Sequence, residues 1–124
     1  WRLPVLLLSV GWALAFSVFT ASAAAINLAG ASLSSKGFLD TVPLALVTFS
    51  SGFYNLLLPL EFLWLGRWRS YMLGALIGCV GCLLCVSAMT VGSMALLCAG
   101  AVLVGVGLAH GQNYRFGVLL CVTE

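Results

Sequence analysis

Charge is what this sequence has least of. Only 6% of its 124 residues are charged, five Lys or Arg against three Asp or Glu, where a water-soluble domain carries about 25%. So few charges cannot coat a folded core in water. The same scarcity excludes a disordered chain and a charged coiled coil. A net charge of +2, spread over scattered cations, is no basic groove, so no nucleic-acid partner is expected. The five cysteines lack the regular framing of a disulfide-stapled secreted module. Glycine-rich phosphate loops, carboxylates paired at workable spacing, and a serine or cysteine with an evident base are all missing, which points away from an enzyme and implies no cofactor.

What the chain has in place of charge is apolar length: with glycine counted and tyrosine left out, about 72% of its residues are apolar against an ordinary 45 to 50%, roughly, in soluble domains. A bilayer core about 30 Å thick requires some 20 apolar residues in a helix, and four such runs fall at about 3–29, 43–65, 70–91 and 93–117. They are apolar all round rather than alternating, so helices are expected and barrel strands are not. The fold class expected is therefore an all-α membrane protein with four transmembrane helices. The joints agree: residues 30–41 carry serines, Lys36 and Asp40, Gly66-Arg67-Trp68-Arg69 reads as a tight polar turn, and Thr90 to Ser93 as a very short one. A secretory signal is the rival reading of the first run, because it closes on Ala21-Ser22-Ala23. Its apolar stretch of roughly 18 residues exceeds the 7 to 15 of such signals, which favours a span. Beginning at Trp1 and ending at Glu124, the chain is expected to be one unit, 1–124, of a longer protein.

Lys and Arg near span ends set orientation. With the N-terminus cytoplasmic, Arg2, Arg67, Arg69 and Arg115 gather on the inner side and only Lys36 outside. Both termini are expected in the cytoplasm, with Trp64, Trp68 and Tyr71 as interfacial aromatics. The membrane expected is the plasma membrane, with an organelle membrane as the alternative.

Polar groups at membrane depth are costly and mark function by default. Glu61 and Arg115 fall near the inner ends of the second and fourth spans, so an ion pair between them is expected. Asn55 is placed mid-span to hydrogen-bond between helices or to meet substrate; Asn27, near the outer end of its helix, suits a cap. His110 is the only histidine and a candidate proton relay. With Gln112, Asn113 and Arg115 it makes the densest polar run in any span, the candidate substrate pathway together with Asn55. Gly74 and Gly78, and Gly107 and Gly111, are spaced for close helix packing. Cys79, Cys82 and Cys85 have a C-x-x-C-x-x-C spacing, but on an apolar helix they point around its circumference, so no metal site is expected.

The pattern resembles the N-terminal portion of a major facilitator superfamily transporter: a long outer first loop, a short basic loop after the second span and a very short joint after the third. The most specific local similarity is Leu65-Gly66-Arg67-Trp68-Arg69 before Tyr71-Met72-Leu73-Gly74. Gly66 and Arg67 match the later glycine and arginine of that family's motif between helices two and three, and Arg69 falls in its basic tail. The motif's first glycine, aspartate and first arginine fall at Pro59, Leu63 and Trp64, and Glu61 stands two residues before the acidic position. Gly105-Val106-Gly107 resembles the fourth-helix glycine pair, with Ala101 at the preceding arginine position.

The resemblance implies secondary transport of a small solute by alternating access. This chain would supply helices one to four, with the lipid bilayer and the remaining helices of the same transporter as partners. Gly66, Arg67, Arg69 and Glu61 become its gating-loop and ion-pair candidates. Two other readings compete. One is a small four-helix multidrug exporter acting as a dimer, which calls for an acid in the first helix that is missing here. The other is a non-transporting membrane subunit, for which small-residue helices suffice.

Overall fold

A computed structural model describes residues 2–33 and 37–117. Lys36, the expected outer cation, lies outside the described residues. These form four helices, α1 (Arg2–Leu33), α2 (Val42–Leu65), α3 (Arg67–Val91) and α4 (Met94–Gln112), with a last helical turn over 114–117. Each is long and apolar enough to cross a membrane, so the fold is all-α and compatible with a multi-pass membrane protein. Helices alone, among open structures, satisfy every backbone group inside lipid.

The helices run up, down, up and down. Gly117 lies against Leu8 and Tyr71 at one end of the bundle, while Gly92 approaches Leu33 at the other. The two short joints each depend on a glycine with positive φ. Gly66 (φ 78°, ψ 155°) is the whole connection between α2 and α3, so the expected turn shrinks to one residue and Arg67, Trp68 and Arg69 form the first turn of α3. A side chain with a Cβ would be strained at that φ. Gly92 (φ 72°) ends α3 with its N–H on the Ala88 carbonyl, and the Ser93 hydroxyl then caps α4 by accepting from Leu96 N–H. Pro43 opens α2 at its first turn, where its missing N–H is not needed.

α1 is longer than expected, 32 residues, or about 48 Å at 1.5 Å per residue. It therefore overshoots the hydrocarbon core unless tilted. Only Ile26, Ala29 and Gly30 are buried along it, so its other end lies loosely on the bundle. The most buried helix is α4, cradled by the other three. Two apolar clusters fill the middle and the Gly92 end, one of Ile26, Val47, Ala101 and Val104, the other of Ala29, Ala88 and Leu97. Glycines let α3 and α4 touch: a Cβ on Gly107 would lie 2.7 Å from the Gly78 Cα, and one on Gly81 2.7 Å from Val104 N. Gly111 departs from the expected pairing with Gly107. It turns to α1, where its nearest neighbour is the Ala15 methyl. At the opposite end from Gly92, around Gly66, the filling changes from apolar to polar.

Candidate functional site

The buried face of α2 repeats as Val47, Ser51, Leu58 and, one turn on, Glu61. Helical periodicity thus carries a carboxylate onto the same stripe as the core residues. Its side chain is 11% exposed. Tyr54, two turns earlier on that stripe, donates its hydroxyl to Glu61 Oε2 at 2.5 Å. Ser70, fully buried in the first turns of α3, donates to Oε1 at 2.7 Å. His110, 1% exposed on α4, brings Nε2 to 3.2 Å from Oε1. Its Nδ1 is 3.0 Å from the Val106 carbonyl oxygen. Three helices therefore converge on one carboxylate within a few residues of Gly66.

Arg115 is not in this cluster, contrary to the expected ion pair. It is exposed, five residues past His110, and its guanidinium carbon lies 5.1 Å from the centre of the Phe116 ring. The physical reason is angular. Helical residues are about 100° apart, so five positions after His110 the chain presents Arg115 well away from α2's carboxylate. Among the described residues, the ion pair that Glu61 makes is with His110.

A second polar group bridges α2 and α4 beside the first. Asn55 Nδ2 donates to Gln112 Oε1 (3.2 Å), and Asn113 Nδ2 donates to Asn55 Oδ1 (2.9 Å) and to the Ala109 carbonyl (2.8 Å). The candidates Asn55, His110, Gln112 and Asn113 are thus brought to one end of the bundle and to one seam. Gly66, Arg67 and Arg69 lie at the same end but are exposed, and Asn27 is exposed on α1. The Tyr71 and Tyr114 rings meet there at a tilt of 46°, their centres 4.7 Å apart, and the Tyr71 hydroxyl donates to the Asn113 carbonyl at 3.4 Å.

Tyr54 and Ser70 were not among the candidates read from the sequence. Tyr54 carried a signal, since it is seven residues before Glu61 and so on the same face. Ser70 carried none until the joint between α2 and α3 is known to be a single residue.

Beside the polar seam an apolar cavity of about 580 Å³ opens between α1 and α3 over α4, walled by Phe19, Ser22, Gly78, Cys82 and Gly107, with His110 at its polar end. Cys79, Cys82 and Cys85 are free thiols. Cys82 and Cys85 pack against the apolar core, and Cys79 is exposed.

No protein-family model matches this chain, and no curated protein or solved structure matches it.

Proposed function

We propose that the chain is the helix-one-to-four part of a secondary transporter of the major facilitator type, moving a small solute across a membrane by alternating access. The observation that carries this reading is the Glu61–His110 pair with its Tyr54 and Ser70 donors, held between α2, α3 and α4. Ionisable groups are rarely placed at membrane depth unless they serve a path or a switch. The order of the elements is in keeping with the resemblance drawn from the motif.

In this reading Glu61, two residues before the motif's acidic position, ties α2 to α3 through Ser70 and to α4 through His110. That is a gate latch at the end carrying Arg67, Arg69 and Arg115, the cytoplasmic end if both termini are inside. Asn55, Gln112 and Asn113 extend the seam with exchangeable amide hydrogen bonds, which a solute's polar groups could replace one for one. Substrate would be bound between this part and the remaining helices near the midplane.

The test is uptake. The full-length protein, reconstituted in vesicles with an imposed pH or sodium gradient, is offered a panel of radiolabelled small solutes. Saturable uptake of at least one, abolished by Glu61→Gln, is the expected result. Inserted, folded protein that moves none of them by a saturable process overturns the reading. A membrane-impermeant thiol reagent fixes the orientation: a cysteine at Phe38 is labelled from outside intact cells and one at Arg69 is spared.

A further inference from the structure

The surroundings of His110 restrict how many protons it can share with Glu61, whether or not the chain is a transporter. The imidazole is enclosed, and both of its nitrogens face oxygen. Nδ1 is 3.0 Å from the Val106 carbonyl, which can only accept. Nε2 is 3.2 Å from Glu61 Oε1, and an ionised carboxylate can also only accept. A neutral imidazole owns a single N–H, which cannot serve two acceptors. Both contacts are favourable only when the pair together holds one further proton, on Nε2 with Glu61 ionised or on Oε1 with His110 neutral. In either form the pair has no net charge.

We propose that the Glu61–His110 contact binds one exchangeable proton, and that its departure unlatches α2 from α4 at the Gly66 end of the bundle. When the proton leaves, an imidazole lone pair faces a carboxylate, if Nδ1 keeps its hydrogen. If the remaining hydrogen moves to Nε2, the lone pair on Nδ1 faces the Val106 carbonyl instead. Each arrangement strands an unfavourable polar contact and a net negative charge in a water-poor seam. Separation of the helices, letting water reach the carboxylate, relieves it.

The other titratable and charged groups at this end leave that account intact. From α2 comes Tyr54, which donates to Oε2 whatever the state of Oε1. From α3 come the Ser70 hydroxyl, which donates to Oε1, then Tyr71 and the exposed Arg67 and Arg69. From the last turn after α4 come Tyr114, its ring tilted against that of Tyr71, and the exposed Arg115. On α1 the only charge is Arg2, in its first turn. The ion pair formed with the carboxylate among all of these is that of His110.

His110 is the single histidine of the sequence, so its ring nitrogens can be followed without ambiguity. The experiment is a pH titration of the full chain, labelled with ¹⁵N-histidine, in lipid bicelles. Below the step Nδ1 should be protonated and bonded to the Val106 carbonyl, and the Nε2 signal should change in a single step as the pair loses its proton. In Glu61→Gln the side-chain amide can donate to the Nε2 lone pair, no extra proton is needed, and the step should move from its wild-type position. Arg115→Gln should leave it in place. A wild-type ring found below the step with Nε2 protonated and Nδ1 bare, or a step unmoved by Glu61→Gln, overturns the proton site. Wild type decides by its tautomer even if the variant fails to fold. The latch is read separately by spin labels at Leu57 and Phe116 with the native cysteines replaced: their distance lengthens above the step, and an unchanged distance overturns the unlatching.

Discussion

The His110 side chain lies directly across the α-carbon of Gly74, so close that a methyl group on Gly74 would overlap its Cβ and the ring carbons Cγ and Cδ2. The absence of a side chain on α3 is thus what lets the imidazole lie between helices and reach Glu61 on α2. Packing and chemistry meet at this one position.

Gly74→Ala should therefore act on the site as well as on stability. Overpacking a close helix contact costs about 1–3 kcal/mol, and the displaced ring should also lose its Glu61 contact, seen as a changed ¹⁵N signature of His110. Gly52 is the control, since nothing lies within 4 Å of a Cβ built there. Gly52→Ala should leave both quantities unchanged or raise stability by a few tenths to about 1 kcal/mol. Denaturant titration in mixed micelles measures the first quantity, and the ring signal the second.

Removing the donors around Glu61 should be costly and non-additive. Ser70→Ala and Tyr54→Phe each leave one carboxylate oxygen short of a hydrogen bond, a penalty of about 1–3 kcal/mol for a buried acceptor. Once Glu61 is replaced by Gln the same substitutions should cost less, because the charge that needed them is gone. A double-mutant cycle measures the coupling. Strict additivity would mean that the hydroxyls and the carboxylate act independently.

The helices were legible because their signal is length and composition, and the bilayer's thickness leaves little latitude. The joints were legible to within a few residues. At Gly66 the polar sequence suggested a four-residue turn, but Arg67, Trp68 and Arg69 are all competent helix residues, and a single glycine at positive φ suffices to reverse the chain. The site was legible in part. Glu61, His110, Asn55, Gln112 and Asn113 stood out because polar groups are rare in such helices, yet which of them meet depends on rotation about each helix axis. That rotation is set by glycine contacts such as Gly74 with His110 and Gly107 with Gly78, and a count of charges does not contain it. Arg115 was matched to Glu61 by depth alone, and angle decided otherwise.

The seam between α2 and α4 should be as sensitive as that between α3 and α4. A Cβ on Gly105 would overlap the Ser50 hydroxyl and press on the Val47 carbonyl. Ser50 itself bridges the two helices by donating to the carbonyls of Val47 (3.1 Å) and Val102 (3.2 Å). Gly105→Ala should destabilise the bundle by about 1–3 kcal/mol, with partial relief in the Ser50→Ala background, where the hydroxyl no longer stands in the way. Equal losses in both backgrounds would place the obstruction at the backbone of Val47 instead.

Arg115 provides the sharpest contrast between sequence and structure. Were it the partner of Glu61, Arg115→Gln would strand a carboxylate within the bundle at a cost of several kcal/mol, about 3–5 for a broken buried pair, and exchanging the two charges would restore what either single change removed. With Arg115 exposed and its guanidinium over Phe116, the substitution should instead change stability by no more than about 0.5 kcal/mol. Glu61→Arg should be severely destabilising and should not be rescued by Arg115→Glu, because the introduced arginine still faces His110, Tyr54 and Ser70. Denaturant titration of the two single variants and the double variant distinguishes these outcomes, and His110→Asn in the same series should show the large loss that Arg115→Gln does not.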